Sequence, residues 1–218
     1  MLVGNLLALR QTQVKRLLAF SSLAHVGYML LGLGFAVSFG QPEGAQGSAF
    51  HLLTHAAMKG LAFLAAGSLL FALHISRGDH GPLVRDDLSG AARRYPLIGL
   101  TLTVALLGLG GLPPLGGFMS KWQIFASGVR TGNPIAVALV VFGVLNSLLS
   151  FGYYAPLVST MYRTTASAAV SAGARVPTGM VVPLVLLAAL VVALGVWPAL
   201  ANGLTAPAGQ VVLAIFTR

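Results

Sequence analysis

Residues 50–71 read FHLLTHAAMKGLAFLAAGSLLF. A helix needs about 20 largely apolar residues to cross a bilayer. This run supplies them, within an apolar span from Gly47 to Ser76, yet it holds two histidines and a lysine. Four more apolar runs flank it: Val14 to Phe39, Pro96 to Val129, Pro134 to Tyr162 and Gly179 to Trp197. The third is interrupted at Pro113-Pro114. The pattern predicts an all-α, polytopic integral membrane protein with about five transmembrane helices, one of them broken. Residues 1–197 form its transmembrane domain. Residues 198–218, weakly apolar and punctuated by Asn202, Gly203, Pro207 and Gly209, read as an interfacial tail.

Composition points the same way. The 218 residues are 56% hydrophobic and only 8% charged, against about 25% charged in a soluble domain. Such a chain cannot cover a globule with a water-compatible surface. The net charge of +9 does not indicate a nucleic-acid partner, because that needs Lys and Arg clustered on a solvated face. There is no cysteine, so thiolate chemistry and Cys-ligated metals are excluded. Met1 to Leu9 is too short for a signal peptide, and Arg10 follows it. It reads as the last turns of a helix that begins upstream.

The loops carry the charges. On one side fall Arg10, Lys15, Arg16, Arg77, Arg85, Arg93, Arg94, Arg163 and Arg175. On the other fall Arg130 and Arg218, and the remaining two, Lys59 and Lys121, lie inside spans. By the positive-inside rule the nine-residue side is cytoplasmic. All four acidic residues, Glu43, Asp79, Asp86 and Asp87, fall in loops. Asp86, Asp87, Arg93 and Arg94 read as an ordinary solvated loop.

The intramembrane basic residues carry the chemistry. An ammonium at mid-bilayer costs at least about 2.5–3.5 kcal/mol, and Lys59 is far from both ends of its span. His51, His55 and Lys59 recur at every fourth residue. They fall within an arc of about 80° along about 12 Å of helix, with Thr54 beside them. A proton relay needs such a stripe: neighbours close enough to pass a proton, titrating near neutrality as histidine does. The plainer reading is that the histidines stabilise packing by interhelical hydrogen bonds. A metal shared by His51 and His55 is disfavoured by Lys59 and by the lack of any carboxylate in a span.

Lys121 follows GLPPLGGF, where two prolines remove backbone donors and glycines add freedom. Broken helices at membrane depth line protein or water and mark ion sites in transporters. The alternative is an interfacial loop with Lys121 snorkelling outward. Ser21, Ser22, His25 and Tyr28 share one side of the first span and extend a polar path. Lys15 is either part of that path or an interfacial anchor. Asn146, Ser147, Ser150, Tyr153 and Tyr154 of the fourth span read chiefly as interhelical glue.

Four blocks carry a family resemblance: LRQTQVKRLLAFSSLAHVGYMLLGLG (9–34), FHLLTHAAMKGLAFLAAGSLLF (50–71), DDLSGAARRYP (86–96) and GLPPLGGFMSKWQIF (111–125). Together they resemble the antiporter-like membrane subunits of respiratory complex I, and are similar to subunits of Mrp-type cation/proton antiporters and membrane-bound hydrogenases. The resemblance implies two inverted five-helix repeats, of which this chain holds the second. It implies that Lys121 is the lysine beside the break, exchanging protons with the outer half-channel. His51, His55 and Lys59, and more loosely Lys15, fall on the central hydrophilic axis. It also implies no cofactor in this subunit. Its partners would be other membrane subunits, the lipid bilayer and protons, in a bacterial or archaeal inner membrane. The first repeat's glutamate and lysine have no counterpart here, so the chain is expected to be a fragment, a split product or an incomplete gene model.

Three functions follow as expectations. The first is proton translocation through a Lys/His relay of Lys121, Lys59, His55, His51, Lys15 and His25, in a redox-driven NADH:quinone oxidoreductase-type pump. The second is the same fold in a secondary cation/proton antiporter or hydrogenase. The third is a membrane scaffold whose basic residues only stabilise packing.

Overall fold

A computed structural model describes residues 1–216; Arg218 of the charge tally lies outside the described residues. It is all helical. The chain runs α1 (Leu2–Leu9), α2 (Val14–Phe39), α3 (Pro42–Leu73), a short α4 (Ala91–Arg94), α5 (Pro96–Gly110), α6 (Gly116–Arg130), α7 (Pro134–Met161), a short α8 (Ala168–Ser171), α9 (Thr178–Val196) and α10 (Asn202–Phe216). Helices α2, α3, α7 and α9 are each long and apolar enough to cross a membrane, and α5 is a shorter apolar helix. With the discontinuous α5–α6 they make the five spans of an integral membrane protein.

The boundaries follow local chemistry. Helix α2 ends at Gly40, in the left-handed region at φ 63°, and α3 opens two residues later with Pro42 in its first turn. That order suits both residues, since glycine tolerates positive φ and proline lacks only an N–H the helix start does not use. Asn133 caps α7 by accepting from the Ile135 N–H at 2.8 Å. Gly111, at φ 91°, terminates α5, and the Gly111 and Leu112 N–H groups both return to the Leu107 carbonyl. Pro113 and Pro114 then offer no donor to continue the ladder, and α6 begins at Gly116.

Helix α3 is the centre. It packs against α2, α5, α6, α9 and α10 and is the most buried of the spans. Its Ala57, Ala62, Ala65, Ala66 and Ala72 are all buried. In lipid there is little hydrophobic gain between helices, and small residues let backbones approach closely. Around them pack Leu102 and Leu106 of α5 and Leu157 and Met161 of α7.

Two contacts shape the break. A Cβ on Gly117 of α6 would lie 2.0 Å from the Gly108 carbonyl oxygen of α5, and one on Gly195 of α9 would lie 1.9 Å from the Pro114 carbonyl oxygen. The half-helices and α9 therefore meet backbone to backbone, which only glycine permits.

The three basic-residue loops gather at one end. Val14 N–H donates to the Leu83 carbonyl and Arg85 N–H to the Thr12 carbonyl. Ser167 N–H reaches the Ser89 carbonyl, and the Arg94 guanidinium holds the carbonyls of Ser171 and Gly173. The stretch expected to be merely solvated is thus part of a cap. His74, at the end of α3, meets Asp79 at 2.6 Å and Asp87 at 3.2 Å, and Asp87 also accepts from the Val84 N–H. The tail 198–216 forms a 3-10 turn and then α10, which packs along α3 with Gly209 against Pro42.

Candidate functional site

Two buried lysines and three histidines face the middle of the bundle. Lys121, only 3% exposed, points inward and does not snorkel. Its ammonium donates to the Leu109 carbonyl (2.9 Å), the Gly110 carbonyl (3.2 Å) and Ser147 Oγ of α7 (2.9 Å). All three donors are used. It also lies 4.9 Å from the centre of the Tyr28 ring. The seat is made by the break. The last carbonyls of α5 have no intrahelical partner and form the negative end of its dipole. Beside this seat a cavity of about 650 Å³ runs along α6 and α7 from Gly110 and Lys121 to Arg130.

The histidines join three helices. His25 of α2 and His51 of α3 stack at 5.2 Å with Nδ1 of the first 3.0 Å from Nε2 of the second. The other nitrogen of His51 lies 2.8 Å from Ser120 Oγ of α6, which also accepts from Thr54 at 3.1 Å. His55 packs 4.6 Å from the His25 ring, and its Nδ1 is buried without a hydrogen-bond partner. Between two neutral imidazoles one nitrogen donates and the other accepts. If His51 accepts from His25, it donates to Ser120; if it donates to His25, it accepts from Ser120. A tautomer change therefore reverses the direction of the chain, which is the property a proton wire needs.

Lys59 belongs to the same stripe by spacing, but its side chain turns to α2. Its ammonium donates to the Leu18 carbonyl (2.6 Å) and to Ser21 Oγ (2.5 Å). Lys15 is not brought into this group; it is exposed on the first turn of α2. Among the described residues neither buried lysine pairs with a carboxylate. No group of three His, Cys, Asp or Glu side chains among them is arranged to hold a metal.

Sequence reasoning passed over two contributors. Ser120, next to Lys121, is the partner of His51. Asn5 of α1 is fully buried; its amide donates to the Asn146 carbonyl (2.9 Å) and Oδ1 (3.2 Å), and Tyr153 donates to its Oδ1 at 2.8 Å. A lone amide within LVGNLLAL was the only signal. Asn146 and Tyr153 are glue between α1 and α7, as expected, whereas Ser147 serves Lys121.

A discontinuous membrane helix thus places an inward-facing lysine at its break, beside a buried histidine cluster; in membrane transporters, breaks of this kind mark ion sites. Known proteins sharpen this. Residues 1–150 match the family described as NADH:quinone oxidoreductase/Mrp antiporter, transmembrane, and the chain belongs to that family. It is 40% identical over 162 residues to NADH-quinone oxidoreductase subunit N 2 of Sorangium cellulosum, covering 74% of this chain and 30% of that protein. It is 36% identical over 204 residues to the F420H2 dehydrogenase subunit N of Methanosarcina mazei, covering 91% and 39%. Among solved structures, a chain of respiratory complex I from Thermus thermophilus with bound aureothin superposes with a TM-score of 0.72 and 34% identity, over 93% of this chain and 42% of that one. The chain thus spans well under half the length of these relatives.

Proposed function

We propose that this chain forms one proton-conducting half of a larger membrane subunit in a redox-driven complex of the NADH:quinone oxidoreductase type. The observation that carries the reading is the seat of Lys121. A membrane-buried ammonium is expensive, and here a whole helix is interrupted to supply it with carbonyls. Packing alone would be served more cheaply by an apolar residue. The lysines and the histidine cluster form the path. Lys15 lies at its approach from the cytoplasmic, basic side, about 15 Å along α2 from His25, and the cavity beside Lys121 leads to the opposite side. The partners are other membrane subunits of that complex in a bacterial or archaeal plasma membrane. The relatives' names, subunits N of NADH-quinone oxidoreductase and of F420H2 dehydrogenase, favour this over a secondary antiporter.

The test replaces Lys121 with Ala in the native complex and follows proton uptake in sealed vesicles, normalised to assembled protein. Assembly holds and pumping falls by about 100-fold, the low end of what a positioned proton-transfer group contributes. Unchanged pumping per assembled complex refutes the reading and leaves a scaffold.

A further inference from the structure

Two cavities open at the cytoplasmic end of the bundle, and Arg94 stands in the wall of both. The smaller, of about 400 Å³, also carries Arg93, Thr164 and Ser171. The larger, of about 440 Å³, lies between the starts of α5 and α9. Its charged residues are Arg94 and Arg175, and none of the described residues lining it is acidic. Most of its remaining wall is apolar, with Leu97 and Ile98 of α5 on one side and Val176 and Val181 at the entry to α9 on the other.

This cavity is preformed. The Arg94 guanidinium donates to the Ser171 carbonyl (3.2 Å) and the Gly173 carbonyl (2.6 Å), which leaves three of its five N–H groups for another acceptor. The loop behind it is pinned as well. Tyr95 donates to the Ala174 carbonyl at 2.8 Å, and the Ala174 N–H donates to the Ala72 carbonyl at 2.9 Å. Arg175 is exposed and has no ion-pair partner among the described residues. Packing explains Arg94, which ties the 171–173 loop to α4. It explains neither Arg175 nor a cavity that holds two guanidinium groups and no acid.

Helices α5 and α9 enter the bilayer here, so the inner end of the cavity opens on hydrocarbon. Leu97 and Leu100, one turn apart on α5, are each 54% exposed. The occupant must therefore be anionic at one end and apolar at the other. A free anion leaves the apolar wall uncovered. An acidic protein segment would carry unpaired backbone groups into lipid. Guanidinium groups match phosphate oxygens in geometry, and basic pockets between spans on the cytoplasmic side suit lipid headgroups.

We infer that this cavity seats one anionic phospholipid, with its phosphodiester between Arg94 and Arg175 and its acyl chains along Leu97, Leu100 and Val181. The lipid joins the start of α5 to the entry of α9, the helix whose Gly195 meets Pro114 at the break. The inference is independent of the proton path.

The test places the full native complex in phosphatidylcholine nanodiscs with a small share of phosphatidylglycerol that carries a photoreactive group high on one acyl chain. After illumination, the labelled peptides are mapped. The label falls on residues 94–100 and 174–181, severalfold above that from a phosphatidylcholine analogue of the same design. Arg175→Gln lowers it severalfold, and Arg16→Gln, which removes the same charge from the exposed start of α2, does not. Excess inorganic phosphate leaves it in place. Equal labelling by the two lipids, no label on these peptides, or labelling unchanged in Arg175→Gln overturns the inference. Displacement by inorganic phosphate also overturns it and makes the cavity a site for soluble anions.

Discussion

The close approach of the two half-helices invites a direct perturbation, Gly117→Ala. The new Cβ would start 2.0 Å from the Gly108 carbonyl oxygen, 2.9 Å from its carbonyl carbon and 3.0 Å from Met58 Cε. Ordinary contact begins near 3.4 Å, so α6 must move from α5 by about 1.4 Å. The methionine tip can swing aside, but the carbonyl belongs to the last turn of α5 and cannot. Overpacking of this kind costs typically about 1–3 kcal/mol. The functional effect is larger than the loss of stability. Lys121 sits one turn further along α6, and its bonds to Leu109 and Gly110, at 2.9 and 3.2 Å, have less slack than the displacement. A misplacement of about 1 Å in a reacting group costs on the order of 100-fold in rate. The control is Gly60→Ala on α3, where the nearest atom, Leu187 Cδ1, is 3.8 Å away. The assay pairs the thermal midpoint of the solubilised complex with proton uptake in vesicles. Gly60→Ala behaves as wild type, while Gly117→Ala melts earlier and pumps poorly. Should both variants melt and pump alike, the break is compliant and backbone contact does not set the position of Lys121.

Two further outcomes are expected. Gly195→Ala places a Cβ 1.9 Å from the Pro114 carbonyl oxygen and 2.6 Å from the Gly116 nitrogen, so it lowers the melting temperature of the complex. Gly179→Ala, with nothing within 4 Å, does not, and equal midpoints would count against α9 bracing the break. Asp87→Ala removes the acceptor of the Val84 N–H and of His74 at a cost of up to about 1–3 kcal/mol, reduced by partial exposure. Limited proteolysis should then cut faster between residues 74 and 95, and an unchanged cleavage rate would show that the cap is held by other contacts.

Much of the architecture is legible in the sequence because a bilayer constrains so strongly. Backbone groups in lipid must be satisfied internally, so apolar runs become helices, and Pro96 and Pro134 open them where expected, whereas α3 opens at Pro42 rather than at the Gly47 expected. Lys121 and its break are equally legible, since two adjacent prolines stop a helix ladder and a charge at membrane depth must find polar partners. Spacing is less informative about which partners. It places His51, His55 and Lys59 on one stripe, but a lysine stem of four methylenes lets the ammonium leave the stripe for Leu18 and Ser21. Nothing in the local sequence of α3 encodes which neighbouring helix supplies a carbonyl.

The same limit applies to Asn5 and Ser120. A single polar residue in an apolar helix has no periodicity of its own, and its meaning lies in residues more than 60 positions away, such as His51 for Ser120 and Tyr153 for Asn5. In a membrane those distant pairings are where specificity resides, because apolar surface is nearly as content against lipid as against protein. The polar contacts at the core of this bundle therefore do two jobs at once. They fix which helices touch, and they bring His25 and His51 within hydrogen-bond distance of each other.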